Sequence, residues 1–192
     1  MTTVVTILTE GFADWETALL NGVARSYYNA ETRYASPGGR PVRSAGGLRV
    51  TPDLALEAID LEALDVLVVC GGSAWQTETA PDLTELLLGA DARGKVVGAI
   101  CDGTVAAARS GLLDEIDHTS NGPGYLDHTG YKGRAHYRDL PGAVASGNVV
   151  TAPGTAPVSF MAEIMRAAGL ADGNLDYYLG LHAAEHRPAA TS

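Results

Sequence analysis

The stretch VVGAICDGTVAAARSG, residues 96–111, decides how the chain is read. Val96 to Ile100 is short and apolar, as a strand covered on both faces is, and Thr104 to Arg109 carries the small residues of a short helix. Cys101 stands where the strand turns into the helix. The segment Ala99-Ile100-Cys101-Asp102-Gly103 matches small-x-Cys-x-Gly, the cysteine form of the nucleophile elbow. Such a turn lifts the thiol above a sheet and aims a helix N-terminus at it. That arrangement favours thiolate and is expected to lower the cysteine pKa from about 8.5 into the range of roughly 3.5 to 7.5. The other readings of the same residue are an oxidation sensor or a small buried hydrophobe that fits a crowded turn.

Outward from this elbow, strands and helices alternate. Thr3 to Leu8, Arg33 to Ser36 and Asp65 to Val69 read as strands, with short strands around Ala143 to Ser146 and Val149 to Ala152. Phe12, Trp15, Leu19, Leu20 and Val23 recur at helical spacing behind a cap region at Asp14 and Thr17. Further helices are expected over Pro81 to Asp91, with proline in the first turn, over Pro157 to Ala168, and through Leu175 to Glu185. The segment 37–53 reads as a small hairpin, 116–140 as irregular, and AEHRPAATS as a frayed tail. The alternation predicts an α/β domain with a mostly parallel sheet, one domain over residues 1–192.

Composition narrows the function. The chain has 192 residues, 46% hydrophobic and 19% charged, with a net charge of −10. An acidic balance argues against nucleic acid as a partner, because phosphate binding needs a basic face. No stretch approaches the roughly 20 apolar residues of a membrane span. The segment MTTVVTILTEG lacks the basic flank of a signal peptide, and two cysteines make no disulfide framework, so a cytoplasmic location is expected. Neither a cofactor nor a metal is expected.

Ligands of open α/β sheets bind outside the carboxyl ends of the strands. Three loops lie there: Glu10 to Glu16, Cys70-Gly71-Gly72, and the elbow. Glu16 falls within the apolar stripe of its helix. A desolvated carboxyl there is expected to hold its proton near neutrality and to donate to a thiolate. Gly71-Gly72 lets a backbone N–H approach a reacting oxygen, and with the N–H of Asp102 it would make an oxyanion hole. Cys70 reads as a buried strand end. His118, His128 and His136 lie in the irregular segment, which is expected to be able to fold over the site. His182 and His186 flank Glu185 on a solvated helix face.

Assembled, these loops resemble the ThiJ/PfpI superfamily of class I glutamine amidotransferase-like proteins. The resemblance runs through ILTEGFADWET, VLVVCGG, AICDGTVAAARSGLLD and VVTAPGTAPVSFMAEIM, nearly the whole chain. It implies a flavodoxin-like three-layer sandwich, a homodimer, and catalytic roles for Cys101, Glu16 and Gly72; Asp102, beside the nucleophile, is expected to join this catalytic set. Gly71, Gly103 and Asn121 are expected to border the substrate. The family's activities include amidase or protease, glyoxalase-type lyase, isocyanide hydration, deglycation, and oxidative-stress sensing or chaperoning. Two departures stand out. Asp102 occupies the place where protease-like members carry histidine, and Asn121 the place where others carry one, so peptidase activity is not expected. Glutamine amidotransferases present Cys, His and Glu in that order. His182 and Glu185 keep the order, but on a terminal helix. The expectation is therefore a cysteine-nucleophile hydrolase or lyase acting on a small amide, ketoaldehyde or isocyanide. The alternatives are an oxidative-stress sensor or chaperone and a glutamine amidotransferase-like protein.

Overall fold

A computed structural model describes residues 1–186; residues 187–192, which hold most of the expected tail, lie outside the described residues. Among the described residues nine strands form: β1 (Thr3–Ile7), β2 (Glu31–Ser36), β3 (Val42–Arg43), β4 (Arg49–Val50), β5 (Leu54–Ala55), β6 (Val66–Val69), β7 (Val96–Ile100), β8 (Val144–Ser146) and β9 (Val149–Ala152). The helices are α1 (Asp14–Tyr28), α2 (Thr84–Ala92), α3 (Gly103–Arg109), α4 (Pro157–Ala167) and α5 (Gly173–Glu185). Seven strands make one sheet in the order β5-β2-β1-β6-β7-β9-β8, all parallel except the antiparallel edge strand β8. The hairpin expected over 37–53 is the antiparallel pair β3–β4, with Val42 opposite Val50.

The period-two rule for strands builds the layers. Val66 and Val68 face the core formed with Leu20, Val23, Phe160 and Ile164 of α1 and α4. Leu67 and Val69 face the opposite core, with Leu87 and Val105 of α2 and α3. The result is a flavodoxin-like three-layer α/β sandwich, its central strands apolar on both sides. Gly98 of β7 lets α4 approach closely, since a Cβ there would stand 2.7 Å from Ile164 Cδ1 and 2.9 Å from Phe160 Cζ. Among the described residues no helix is long and apolar enough to cross a membrane.

Several expectations are corrected. Helix α2 starts at Thr84, not Pro81, because Asp82 Oδ1 accepts both the Thr84 N–H (2.9 Å) and its hydroxyl (2.6 Å). Asp14 does not cap α1: Ala13 occupies that place, and Asp14 Oδ2 accepts from the Gly46 N–H at 2.7 Å, tying the β3–β4 turn to the helix. Phe12 precedes the helix and bridges to Gly72. Trp15 lies outside the core at 55% exposure. The short edge strand β5, hydrogen-bonded to β2, had no periodic signature to reveal it.

Candidate active site

Cys101 leaves β7 with φ 55°, in the left-handed region. This conformation costs an L-residue about 1–2 kcal/mol and persists only where the surroundings enforce it. Here they do. The Cys101 N–H donates to Ala152 O of β9 at 2.9 Å, while its carbonyl accepts from the Thr104 N–H (3.1 Å) and hydroxyl (2.6 Å). Gly103 completes the turn, because any Cβ there would collide with the Val69 carbonyl of β6. The small residue allows α3 to begin directly against the sheet, and the thiol is held half-buried above the strand ends.

Beneath the sulfur lies Glu16, in the first turn of α1 and fully buried. Its Oε2 accepts the Gly71 N–H at 2.7 Å. Its Oε1 is buried without a hydrogen-bond partner among the described residues. Both Oε1 and Cys101 Sγ border Gly154, at 3.1 and 2.8 Å from where a Cβ on that glycine would stand. Gly71 is equally constrained, since its Cβ would strike Glu16 Oε2 and stand 2.7 Å from Cys101 Cβ. Two glycines, one from each flanking strand end, thus make room for the carboxyl and the thiol to meet.

Burial pushes the Glu16 carboxyl up to about 7, against the opposing pull of Cys101 and of the Gly71 N–H. Burial and the negative charge of Glu16 push the Cys101 thiol up to about 12, against the Asn121 hydrogen bond. The expectation of a lowered thiol is therefore corrected. Burial, together with the carboxyl beneath the sulfur, outweighs a helix of only two turns, and the first proton to leave the pair is that of Glu16.

Asn121 touches the sulfur directly. Its Nδ2 donates to Sγ at 3.3 Å, and its Oδ1 accepts the Gly154 N–H at 2.9 Å. Gly154 O in turn accepts from the Trp15 indole at 3.1 Å. Asp102 turns its side chain toward Gln76 and Tyr125. Its Oδ1 accepts the Gln76 amide at 2.6 Å and the Tyr125 hydroxyl, and Gln76 also donates to that hydroxyl at 2.9 Å. The Tyr125 hydroxyl is pushed up to about 12 by burial and by Asp102, so it remains a donor. The N–H groups of Gly72 and Asp102 have no protein acceptor among the described residues.

Among the described residues no histidine is hydrogen-bonded to Cys101, Glu16 or Asp102. His118 is buried, its Nδ1 within 2.8 Å of Ile116 O and its ring edge-on to Tyr131 and Tyr137; burial holds its pKa down. His128 contacts Tyr125 O at 3.0 Å through Nδ1, and His136 lies 3.9 Å from Asp117. His182 stacks edge-on to Tyr178 at 4.8 Å on α5, where it forms no Cys-His-Glu set with Cys101. Cys70 is fully buried, its thiol directed at Ala13 O (3.4 Å) and pushed up to about 12 by burial. Sequence reasoning missed Gln76, Tyr125, Trp15 and Gly154 as site residues. Gly154 and Trp15 lay in quoted stretches, VVTAPGTAPVSFMAEIM and ILTEGFADWET, but neither was singled out there as a site residue, and Gln76 and Tyr125 stand in segments with no motif to mark them.

A parallel sheet in flavodoxin order, with a cysteine in left-handed conformation at a strand-to-helix elbow and a carboxyl buried beneath it, defines a class of cysteine-centred α/β proteins. The chain belongs to the DJ-1/PfpI family, which residues 2–167 match. Its fold is similar to that of the DJ-1 superfamily protein Atu0886 from Agrobacterium tumefaciens, with a TM-score of 0.92 and 44% identity over 97% of this chain and 100% of that one. It is 32% identical over 127 residues to the uncharacterized protease YoaZ of Bacillus subtilis, covering 65% of this chain and 60% of the relative. It is also 32% identical over 83 residues to the glutathione-independent glyoxalase DJR-1.2 of Caenorhabditis elegans, covering 43% of this chain and 45% of the relative. The chain thus spans less than two thirds of the length of these two named relatives.

Proposed function

We propose that the protein is a cysteine-dependent hydrolase or lyase acting on a small electrophile, an amide, ketoaldehyde or isocyanide. The observation that carries this reading is the buried Glu16 carboxyl beside a thiol held in strained backbone conformation. A carboxylate with a pKa near 7 is matched to taking and returning a proton at neutral pH. Cys101 Sγ bonds to the electrophilic carbon as its proton passes to Glu16. The N–H groups of Gly72 and Asp102 meet the negative charge that develops on the substrate. For an amide, the amine leaves with the proton from Glu16. Water then hydrolyses the thioester, and its proton returns through Glu16 to the sulfur. The names of the relatives, protease and glyoxalase, both belong to reactions at a carbonyl carbon. With no imidazole bonded to the sulfur, peptidase activity does not follow for this chain.

The test is a panel of ketoaldehydes, amides and isocyanides assayed with wild type and with Cys101→Ala. Turnover that vanishes in the variant is expected. Turnover independent of Cys101, or none on any compound, would sink the reading.

One observation favours a second reading. The Asn121 amide donates to Sγ at 3.3 Å, and an amide stabilises an anion without supplying a base. In a sensor, peroxide would oxidise Cys101 stepwise and a protonated Glu16 would donate to the sulfinate. Mass spectrometry after mild peroxide would show selective oxidation at Cys101, and its absence would end this alternative.

A further inference from the structure

We infer that the Asp102 carboxylate is a specificity-determining group that makes this site prefer positively charged electrophiles over anionic ones. The inference rests on reading Cys101 as the reacting group and names the class of substrate it accepts. Asp102 directly follows the nucleophile and is half-buried at the mouth of the site. Its Oδ1 is fixed from two other segments, by Gln76 and by Tyr125, and Gln76 also binds the Tyr125 hydroxyl. Two side chains from separate segments thus hold one carboxylate in place. Its Oδ2 has no partner among the described residues.

The acidic groups nearest the sulfur are Glu16, buried beneath it and ionised only as pH rises through about 7, and Asp102 at the mouth of the site. The arginines between residues 102 and 140 are engaged elsewhere. Arg109 of α3 donates to the carbonyls of Trp75 and Thr77, Arg134 pairs with Asp127, and Arg138 pairs with Asp117. Glu16 Oε1, buried and unpartnered, faces the same space from below. An incoming carboxylate or phosphate would meet repulsion from Asp102, joined by Glu16 as pH rises through about 7. A carbonyl compound bearing an ammonium, amidinium or guanidinium group would meet Asp102 Oδ2. Selectivity of this kind is a difference between two affinities, and repulsion of the wrong partner contributes as much as attraction of the right one.

The test uses two methanethiosulfonates of similar size, one bearing a trimethylammonioethyl group and one a sulfonatoethyl group. In each, the Cys101 sulfur attacks the sulfenyl sulfur, one S–S bond forms as another breaks, and methanesulfinate leaves with the electron pair. Rates are read by intact mass at low ionic strength, with Cys101→Ala as the control for labelling at Cys70. The ratio of cationic to anionic rates is expected to exceed that of a small free thiol by at least about tenfold. Asp102→Asn is expected to bring it down toward the free-thiol ratio. Gln76→Ala, which loosens the carboxylate but keeps its charge, is expected to retain most of the preference. A wild-type ratio equal to that of a free thiol, a ratio unchanged in Asp102→Asn, or no modification of Cys101 by either reagent would overturn the inference. Labelling needs only an accessible thiol. A silent substrate panel would therefore refute the proposed enzyme and leave this selectivity standing.

Discussion

The Asn121 amide donates to the Cys101 sulfur at 3.3 Å, and the same side chain accepts the Gly154 N–H at 2.9 Å. The second bond aims the first: with Oδ1 fixed by a backbone donor, Nδ2 points at the thiol. An amide in this position stabilises negative charge on sulfur, but it cannot carry a proton away. The proton chemistry of the site therefore falls to Glu16.

Removing that amide has a measurable consequence. Hydrogen bonds to a charged group contribute about 1.5–3 kcal/mol. Asn121→Ala is expected to slow iodoacetamide labelling of Cys101 at pH 8 by about tenfold or more, by the same range. Asn121→Asp, which places a third carboxylate at the sulfur, is expected to slow it further. Labelling rates followed by intact mass decide this, and an unchanged rate in Asn121→Ala would mean that the amide does not support the thiolate.

Glu16 makes stability depend on pH in a defined direction. Its carboxyl is raised from 4.5 to about 7, so the fold prefers the protonated form. That preference is fully present below about 4.5 and is lost as pH rises through about 7, with a ceiling of about 3 kcal/mol. His118 acts in the opposite sense: its pKa is lowered, so its contribution is lost as pH falls. The stability of wild type relative to Glu16→Gln, from urea denaturation, is therefore expected to fall between pH 5 and pH 8. A constant difference across that window would show that the carboxyl is not desolvated. On the proposed reading, turnover rises over the same interval as Glu16 ionises.

Backbone strain at the nucleophile gives an unusual ordering of variants. Glycine adopts φ 55° without the Cβ penalty that cysteine and alanine share. Cys101→Gly is expected to be more stable than Cys101→Ala by about 1 kcal/mol, although it removes more apolar surface. Thermal or chemical denaturation of the two variants side by side tests the ordering, and the reverse order would argue that the elbow is relaxed.

The two glycines near the thiol separate fold from chemistry. In Gly103→Ala the new Cβ meets the Val69 carbonyl, a backbone group that cannot swing aside, so a loss of about 3 kcal/mol is expected. In Gly154→Ala the Cβ arrives 2.8 Å from Sγ and 3.1 Å from Glu16 Oε1. Labelling of Cys101 is expected to fall far more than stability does. Denaturation and labelling of both variants would expose the contrast, and equal effects on the two readouts would count against it.

Local pattern made much of this legible in the chain itself. Continuous apolar runs such as Val66 to Val69 specify strands covered on both faces, and the small residues around Cys101 specify a tight strand-to-helix turn. Glu16 was readable as inward-facing because it shares a helical stripe with Leu20 and Val23. Trp15, on the same stripe, was misread. Its indole is drawn outward to Gly154 O, a partner 139 residues away that no periodicity reveals.

The alternation of the central strands with helices and the strand-to-helix elbow at Cys101 were thus determined by the sequence alone, because each depends on residues adjacent in the chain. The protonation of the site was decided only in three dimensions. A helix N-terminus read in isolation predicts a lowered thiol, whereas burial raises both groups, and the carboxyl folded beneath the sulfur from 85 residues earlier in the chain raises the thiol further. The anchoring of Asp102 by Gln76 and Tyr125 is of the same kind. Desolvation and charge act through space over a few ångströms, and which groups come that close is set by the packing of the sheet and its loops, not by their spacing along the chain.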